Sequence, residues 1–255
     1  MLAEREIERY ARQLVLPEWS GAVQERLKNA TAIVIGAGAL GSPAATYLAC
    51  AGVGRLGIAD GDWVEISNLQ RQPLHFTPDI DTQKAESAAQ KLGLLNTDIT
   101  VEPYPVELDA ENAGAIVAGA DVVLDCTDSF ETRYLINDAC CEQEIPLVEA
   151  GALGFGGMVL AIRPGRTACY RCAFPTAPAN APSCADAGML GAVAGVIGSL
   201  QALEALKLLA GVGPPPGDVI LHFDGLTLQQ TLVRTSRRAD CSACGQMAAS
   251  PESEA

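Results

Sequence analysis

The residues best suited to chemistry fall into a few spaced groups. Two C-x-x-C knuckles, Cys169-Tyr-Arg-Cys172 and Cys241-Ser-Ala-Cys244, offer four thiolates, the ligand set of a closed tetrahedral zinc site. A closed site has no open coordination position, so it staples the C-terminal segment to the body and does not catalyse. The alternative, two redox pairs, is disfavoured because neither pair is expected to open a helix after a strand. Gly36, Gly38 and Gly41 follow the apolar run Ala32-Ile-Val-Ile35. Gly36 permits a tight turn, Gly38 lets a phosphate approach bare backbone, and Gly41 lets the next helix lie against the strand with its N-terminus facing an anion. Ligand-free close packing is the plain alternative for such glycines. Asp60 ends the next apolar stretch, where a strand-tip carboxylate accepts both ribose hydroxyls. Asn68, Gln70, Arg71 and Gln72 follow, and this density of donors around a guanidinium fork suits a triphosphate. Lys84 is placed to reach the same phosphates, although a lone lysine at a helix start is ordinarily just solvated.

Three more positions carry paired readings. Asp128 follows the strand Asp121–Asp125, where it serves either to hold magnesium on phosphates and orient the reacting group or to cap a helix. Cys184 follows a stretch, 174–183, rich in Pro, Ala and Asn; it is either an accessible nucleophile or an incidental thiol. Arg9, Arg12 and Gln13 sit on or beside an amphipathic helix over 3–14, and two arginines there read first as solvated surface.

Stepping outward, these residues need a scaffold of alternating strands and helices. Strands are predicted at Thr31–Ile35, Arg55–Asp60, Ile99–Pro103, Asp121–Asp125 and Pro146–Ala150, with helices at Gly21–Lys28, from the glycine motif to Ala51, Lys84–Leu95, Ala110–Ala118 and Phe130–Cys141. That alternation is an α/β, Rossmann-like parallel sheet. Met158–Ile162, Val219–Phe223 and Thr227–Val233 extend it as antiparallel strands around a long apolar helix, Met189–Ala210. One domain is expected over 1–245, followed by a disordered acidic tail, 246–255.

Composition narrows the function classes. Seventeen Lys+Arg against 31 Asp+Glu give a net charge of −14, which repels nucleic acid and anionic membranes alike. The charged N-terminus lacks the apolar core of a signal peptide, so a cytoplasmic protein is expected. With no export signal, nine cysteines read as metal ligands, a reactive thiol and core residues, not disulfides.

Taken together, Arg9-Tyr-Ala-Arg-Gln13, Gly36-Ala-Gly-Ala-Leu-Gly41, Asp60-Gly-Asp62, Ser67-Asn-Leu-Gln-Arg-Gln72, Lys84, Asp125-Cys-Thr-Asp128 and both knuckles resemble the MoeB/ThiF-type adenylyltransferases of ubiquitin-like sulfur-carrier proteins, relatives of ubiquitin-activating enzymes. The resemblance implies ATP-dependent adenylation of a carrier's C-terminal Gly-Gly carboxylate, with ATP and Mg2+ as cofactors and Zn2+ in the knuckles. It implies that Asp60 holds the ribose, that Asn68, Arg71 and Lys84 hold the phosphates, that Asp128 coordinates magnesium, and that Arg12 reaches the triphosphate of the other subunit of a homodimer. Cys184 matches a loop cysteine that takes part in sulfur transfer in some members only. The family's departures here are Ala39 in place of a common third glycine, and Asp81 in place of a glycine before Lys84, where the turn is expected to differ. No rhodanese-like domain follows, so a separate sulfur donor is expected. Transfer of AMP needs charge neutralisation and alignment more than proton transfer, which suits a site whose matched residues include neither His75 nor His222. An NAD-dependent oxidoreductase, a non-catalytic zinc-stabilised scaffold, and an adenylating relative acting on a tRNA base or small carboxylate are the rival readings.

Overall fold

Short β-branched runs alternating with helices of small residues build one eight-stranded sheet with helices on both faces. The computed structural model describes residues 1–177, 187–214 and 216–247. In chain order the elements are α1 (Glu4–Arg9), α2 (Ala11–Leu14), α3 (Gly21–Asn29), β1 (Thr31–Ile35), α4 (Gly41–Ala51), β2 (Arg55–Ala59), α5 (Lys84–Leu95), β3 (Thr100–Tyr104) and α6 (Ala113–Val117). They continue with β4 (Val122–Asp125), α7 (Phe130–Glu142), β5 (Leu147–Leu153), β6 (Gly156–Ile162), α8 (Tyr170–Ala173), α9 (Gly191–Ala210), β7 (Val219–Asp224) and β8 (Gln229–Arg234). The strand order is β3-β2-β1-β4-β5-β6-β7-β8, parallel through β5 and antiparallel from β5 to β8. The predicted architecture and nearly all of its elements are therefore present, with ends moved by one to three residues.

Sheet order reverses between β1 and β4, and a doubly wound sheet leaves its ligand crevice at that point, outside the strands' carboxyl ends. Both strands are buried on both faces, which is why their sequences are continuous apolar runs and not alternating ones. Ala32 and Val34 of β1 join the core under α3, α4 and α9, whereas Ile33 and Ile35 join the core under α6, α7 and the cysteine segment. Helix α9 is long and apolar enough to cross a membrane. Here its Val193, Ala194, Ile197, Gly198, Gln201, Ala202 and Ala205 are buried, and it packs on α4, β5 and β6.

The N-terminal helix departs from prediction. The single helix expected over 3–14 breaks at Tyr10, a buried residue whose hydroxyl accepts from Asn96 Nδ2 at 2.9 Å. Of the apolar residues Ile7, Tyr10, Ala11 and Leu14, expected from their helical spacing to face inward, Tyr10 is buried but Ile7 is exposed, while Glu6 is buried and accepts from Lys28 Nζ at 2.7 Å. At the second departure, Asp81 takes φ +68°, a left-handed conformation that a short polar side chain tolerates, so the turn before Lys84 is made with a carboxylate. Ala39 is outside the left-handed region, and its methyl is unstrained. The expected tail falls almost wholly outside the described residues.

Candidate functional site

The site is built where β1 gives way to α4. Gly36 takes φ +94°, and a Cβ there would stand 2.8 Å from the Cys126 carbonyl oxygen on the neighbouring strand end. A Cβ at Gly41 would fall 1.8 Å from the Gly36 carbonyl oxygen, so only glycine lets α4 start this close to the strand. Gly38 faces a cleft of about 460 Å³, lined also by Asp60, Asn68, Arg71, Lys84, Asp128 and Arg133. That volume suits a nucleotide-sized ligand.

Of the cleft residues singled out from sequence, Gly36, Gly38, Asp60, Asn68, Arg71, Gln72, Lys84 and Asp128 line one space, whereas Gly41 serves the close packing of α4 on the strand and exposed Gln70 does not line it. Asp60 Oδ2 accepts from the Ala37 amide at 2.7 Å and Oδ1 from the Asp62 amide at 2.8 Å, leaving each oxygen a further lone pair toward the cleft. Burial pushes the Asp60 carboxyl above its ordinary value, against the opposing pull of Lys84 and the two amides. Lys84 is the first residue of α5, and its ammonium meets Asp62 Oδ2 at 2.7 Å. Lys84 is buried but the Asp62 side chain is 77% exposed, so Asp62 can swing into solvent and yield the ammonium to an incoming anion. Arg71 Nη1 donates to the Ser67 carbonyl at 2.9 Å, which spends one of five guanidinium donors. Asn68 is buried, its Oδ1 accepting from the Glu65 amide at 3.3 Å. At the far wall Ser129, not Asp128, caps α7, accepting from the Thr132 amide. The capping alternative for Asp128 is thereby overturned: its exposed carboxylate makes no hydrogen bond or ion pair among the described residues.

Beneath Asp128 lies a cluster that sequence reasoning missed. Asp125 Oδ1 accepts from both the amide and the hydroxyl of Thr127, and Arg133 Nη2 donates to the Thr127 carbonyl, so the loop carrying Asp128 is held on two sides. Arg133 Nη1 pairs with Glu149 Oε1 at 3.2 Å, and Glu149 is fully buried. Burial and then the neighbouring Asp125 push the Glu149 carboxyl well above the carboxylate range, with Arg133 pulling the other way. Gln201 of α9 donates to the carbonyls of Asp125 and Val148 at 2.7 and 2.8 Å and accepts from Cys126 Sγ at 3.2 Å, tying the long helix to two strand ends. An unexplained Gln in an apolar helix was the available signal for this contact.

The knuckles converge as their spacing implies. All four sulfurs lie within 4.8 Å of one another and all four residues are buried. Cys169–Cys241 and Cys172–Cys244 approach to 3.5 Å and Cys169–Cys172 to 3.8 Å. A tetrahedron with metal–sulfur bonds of about 2.3 Å has edges of about 3.8 Å, so the sulfurs already fit such an ion. One detail corrects the sequence argument: Cys169 does open a helical turn, the four-residue α8. The redox alternative loses ground instead because each pair's sulfurs lie as close to the other pair as to each other.

Two candidates lie elsewhere. Arg12 is exposed on α2, makes no hydrogen bond or ion pair among the described residues and does not line this chain's own cleft. Its neighbours are occupied, Arg9 donating to Asp98 Oδ2 at 3.1 Å and Gln13 to Gln24 Oε1 at 2.9 Å. Cys184 lies outside the described residues.

Comparison with known proteins places this geometry. The ThiF family model matches residues 10–243. The chain is 48% identical over 248 residues to the adenylyltransferase and sulfurtransferase MOCS3 of Sus scrofa, covering 96% of the chain and 54% of that protein. It is 44% identical to the sulfur carrier protein ThiS adenylyltransferase of Escherichia coli, covering 97% of the chain and 99% of the relative, and 42% identical to the SAMP-activating enzyme E1 of Haloferax volcanii, covering 94% and 90%. The chain thus spans about half the length of the MOCS3 proteins it matches. Among solved structures, E. coli MccB with MccA-N7isoASN superposes with a TM-score of 0.83 at 24% identity, covering 94% of this chain and 74% of MccB, a likeness of fold.

Proposed function

Because this chain belongs to the ThiF family, we propose that it adenylates the C-terminal Gly-Gly carboxylate of a small ubiquitin-like sulfur-carrier protein, forming an acyl-adenylate and pyrophosphate. The observation that carries the reading is the convergence of Asp60, Asn68, Arg71, Lys84 and Asp128 on one cleft at the sheet's reversal point. Asp60 receives the ribose hydroxyls on its free lone pairs. Lys84 leaves Asp62 for the triphosphate, and Arg71 adds its unused donors. The carrier's carboxylate oxygen attacks the α-phosphorus, the bond from that phosphorus to the bridging oxygen breaks, and pyrophosphate leaves with part of its charge offset by the two cations. No proton has to move. Asp128, a hard oxygen donor without a partner among the described residues, fits Mg2+, which when bound neutralises phosphate charge.

The four cysteines fit a structural Zn2+ and stand apart from the cleft, fixing the segment after β8. Arg12, idle in its own chain, is assigned to the phosphates of a homodimer partner, and sulfur is assigned to a separate donor protein, with Cys184 as a second route for that step. A nicotinamide cofactor explains Asp60 but leaves Arg71 and Lys84 without a role. The direct test incubates the chain with ATP, Mg2+ and a carrier ending in Gly-Gly and weighs the carrier. A mass gain of one adenylyl group supports the reading. An unchanged carrier, across candidates known to be folded, refutes it.

A further inference from the structure

His75 matches no residue of the nucleotide-binding set, yet it is 3% exposed and sits directly behind the glycine turn. Its Nε2 stands 2.8 Å from the Ala37 carbonyl oxygen and its Nδ1 2.8 Å from Ser87 Oγ. A carbonyl only accepts, so Nε2 must carry a proton. Lys91 Nζ, which only donates, reaches Ser87 Oγ at 3.0 Å and is itself fixed by Asp79 at 2.6 Å. The Ser87 hydroxyl accepts from Lys91, and among the described contacts Nδ1 is the one acceptor in reach of its own proton, so Ser87 donates to Nδ1. The network is satisfied throughout with a neutral imidazole, and burial, with Lys91 and Lys84 nearby, lowers the His75 pKa in the same sense, against the Ala37 bond and Asp60.

A trans peptide points its C=O and N–H in opposite directions. The Ala37 carbonyl is drawn inward by His75, so the Gly38 N–H in the same peptide is turned outward. Gly38 lines the cleft, and its amide has no partner among the described residues. The peptide on the other side is also held, Ala37 N–H donating to Asp60. A relay from half-buried Asp79 and Lys91 through buried Ser87 and His75 thus fixes the glycine turn.

We propose that His75 is a positioning residue of the nucleotide cleft: as the neutral Nε2–H tautomer it holds the Ala37 carbonyl and thereby presents the Gly38 N–H as a donor to the bound polyphosphate. The identity of the anion rests on the adenylation reading; the donor geometry does not.

The test measures dissociation constants for a non-hydrolysable ATP analogue with the full chain and its variants. His75→Gln places an amide N–H near the Nε2 position and should bind like wild type, whereas His75→Asn and His75→Ala should bind about tenfold more weakly, the scale of one hydrogen bond. KM for ATP should rise with KM for the carrier unchanged. Binding of the analogue should shift the Gly38 amide resonance in the wild-type chain and in His75→Gln, and much less in His75→Ala. If His75→Ala does not fold, the imidazole nitrogen resonances of the wild-type chain decide, because an Nδ1–H or charged ring overturns the proposal. Wild-type analogue binding by His75→Asn and His75→Ala overturns it too, as does a wild-type chain that binds no nucleotide. Nucleotide binding that depends on His75 without any carrier adenylation sinks the adenylation reading and leaves this one standing.

Discussion

Asp60 illustrates how a functional residue can oppose the fold that holds it. Burial raises its pKa above the unfolded value, so the folded chain binds the proton more tightly and the group favours folding below that value. The contribution is lost as pH rises through the folded pKa, above which the buried carboxylate opposes folding. Asp60→Asn is expected to raise the melting temperature of the ligand-free chain while weakening nucleotide binding; a lower melting temperature in calorimetry would show that the carboxylate stabilises the turn. Arg71→Ala and Lys84→Ala are each expected to lower adenylation by roughly a hundredfold, the scale of one lost charge donor at a reacting phosphate. Near wild-type rates in both would place the phosphates elsewhere. Sequence made Asp60, Arg71 and Lys84 legible because each is fixed by distance from a strand end or helix start. His75, Arg133 and Glu149 were not legible, since each acquires its meaning from a partner on another element: Ala37, Thr127 and Asp125.

At the scale of elements, the strands and their order were legible because β1, β2, β4 and β5 are near-continuous apolar runs bounded by glycine or acid. The break at Tyr10 and the burial of Glu6 were not, since they depend on Asn96 and Lys28, contacts no periodicity encodes. The turn at Asp81 is expected to accept Asp81→Gly without loss, whereas Asp81→Val should cost about 1–3 kcal/mol in denaturant unfolding for a branched residue at positive φ. Equal stability of both variants would mean that the turn relaxes. The cysteine segment is tied down by its sulfurs and by Arg237, which donates to the carbonyls of Gly165, Cys244 and Met247. One zinc per chain is expected by metal analysis, and Cys241→Ser should lose it and expose the C-terminal segment to hydrogen exchange before the cleft is disturbed. Unchanged melting and no metal in the wild type would remove the assignment.

For the whole molecule, the feature to explain is Arg12, exposed and away from its own cleft. If a partner's phosphates receive it, Arg12→Ala and Asp128→Ala homodimers should be nearly inactive, and mixing them should restore about a quarter of wild-type activity per chain, since half the dimers are mixed and each has one intact site. No recovery with subunit exchange confirmed would leave Arg12 without that role. The roles proposed for Arg12, Arg71, Lys84 and Asp128 presuppose that the cleft activates a carrier's carboxylate on ATP. The most direct measurement is exchange of labelled pyrophosphate into ATP by the wild-type chain, with a carrier ending in Gly-Gly and with the same carrier lacking its last glycine. Exchange is expected with the first, none with the second, and a roughly hundredfold reduction in Lys84→Ala. Exchange that ignores the missing glycine, or none with any Gly-Gly carrier by a chain that binds ATP, would contradict the account.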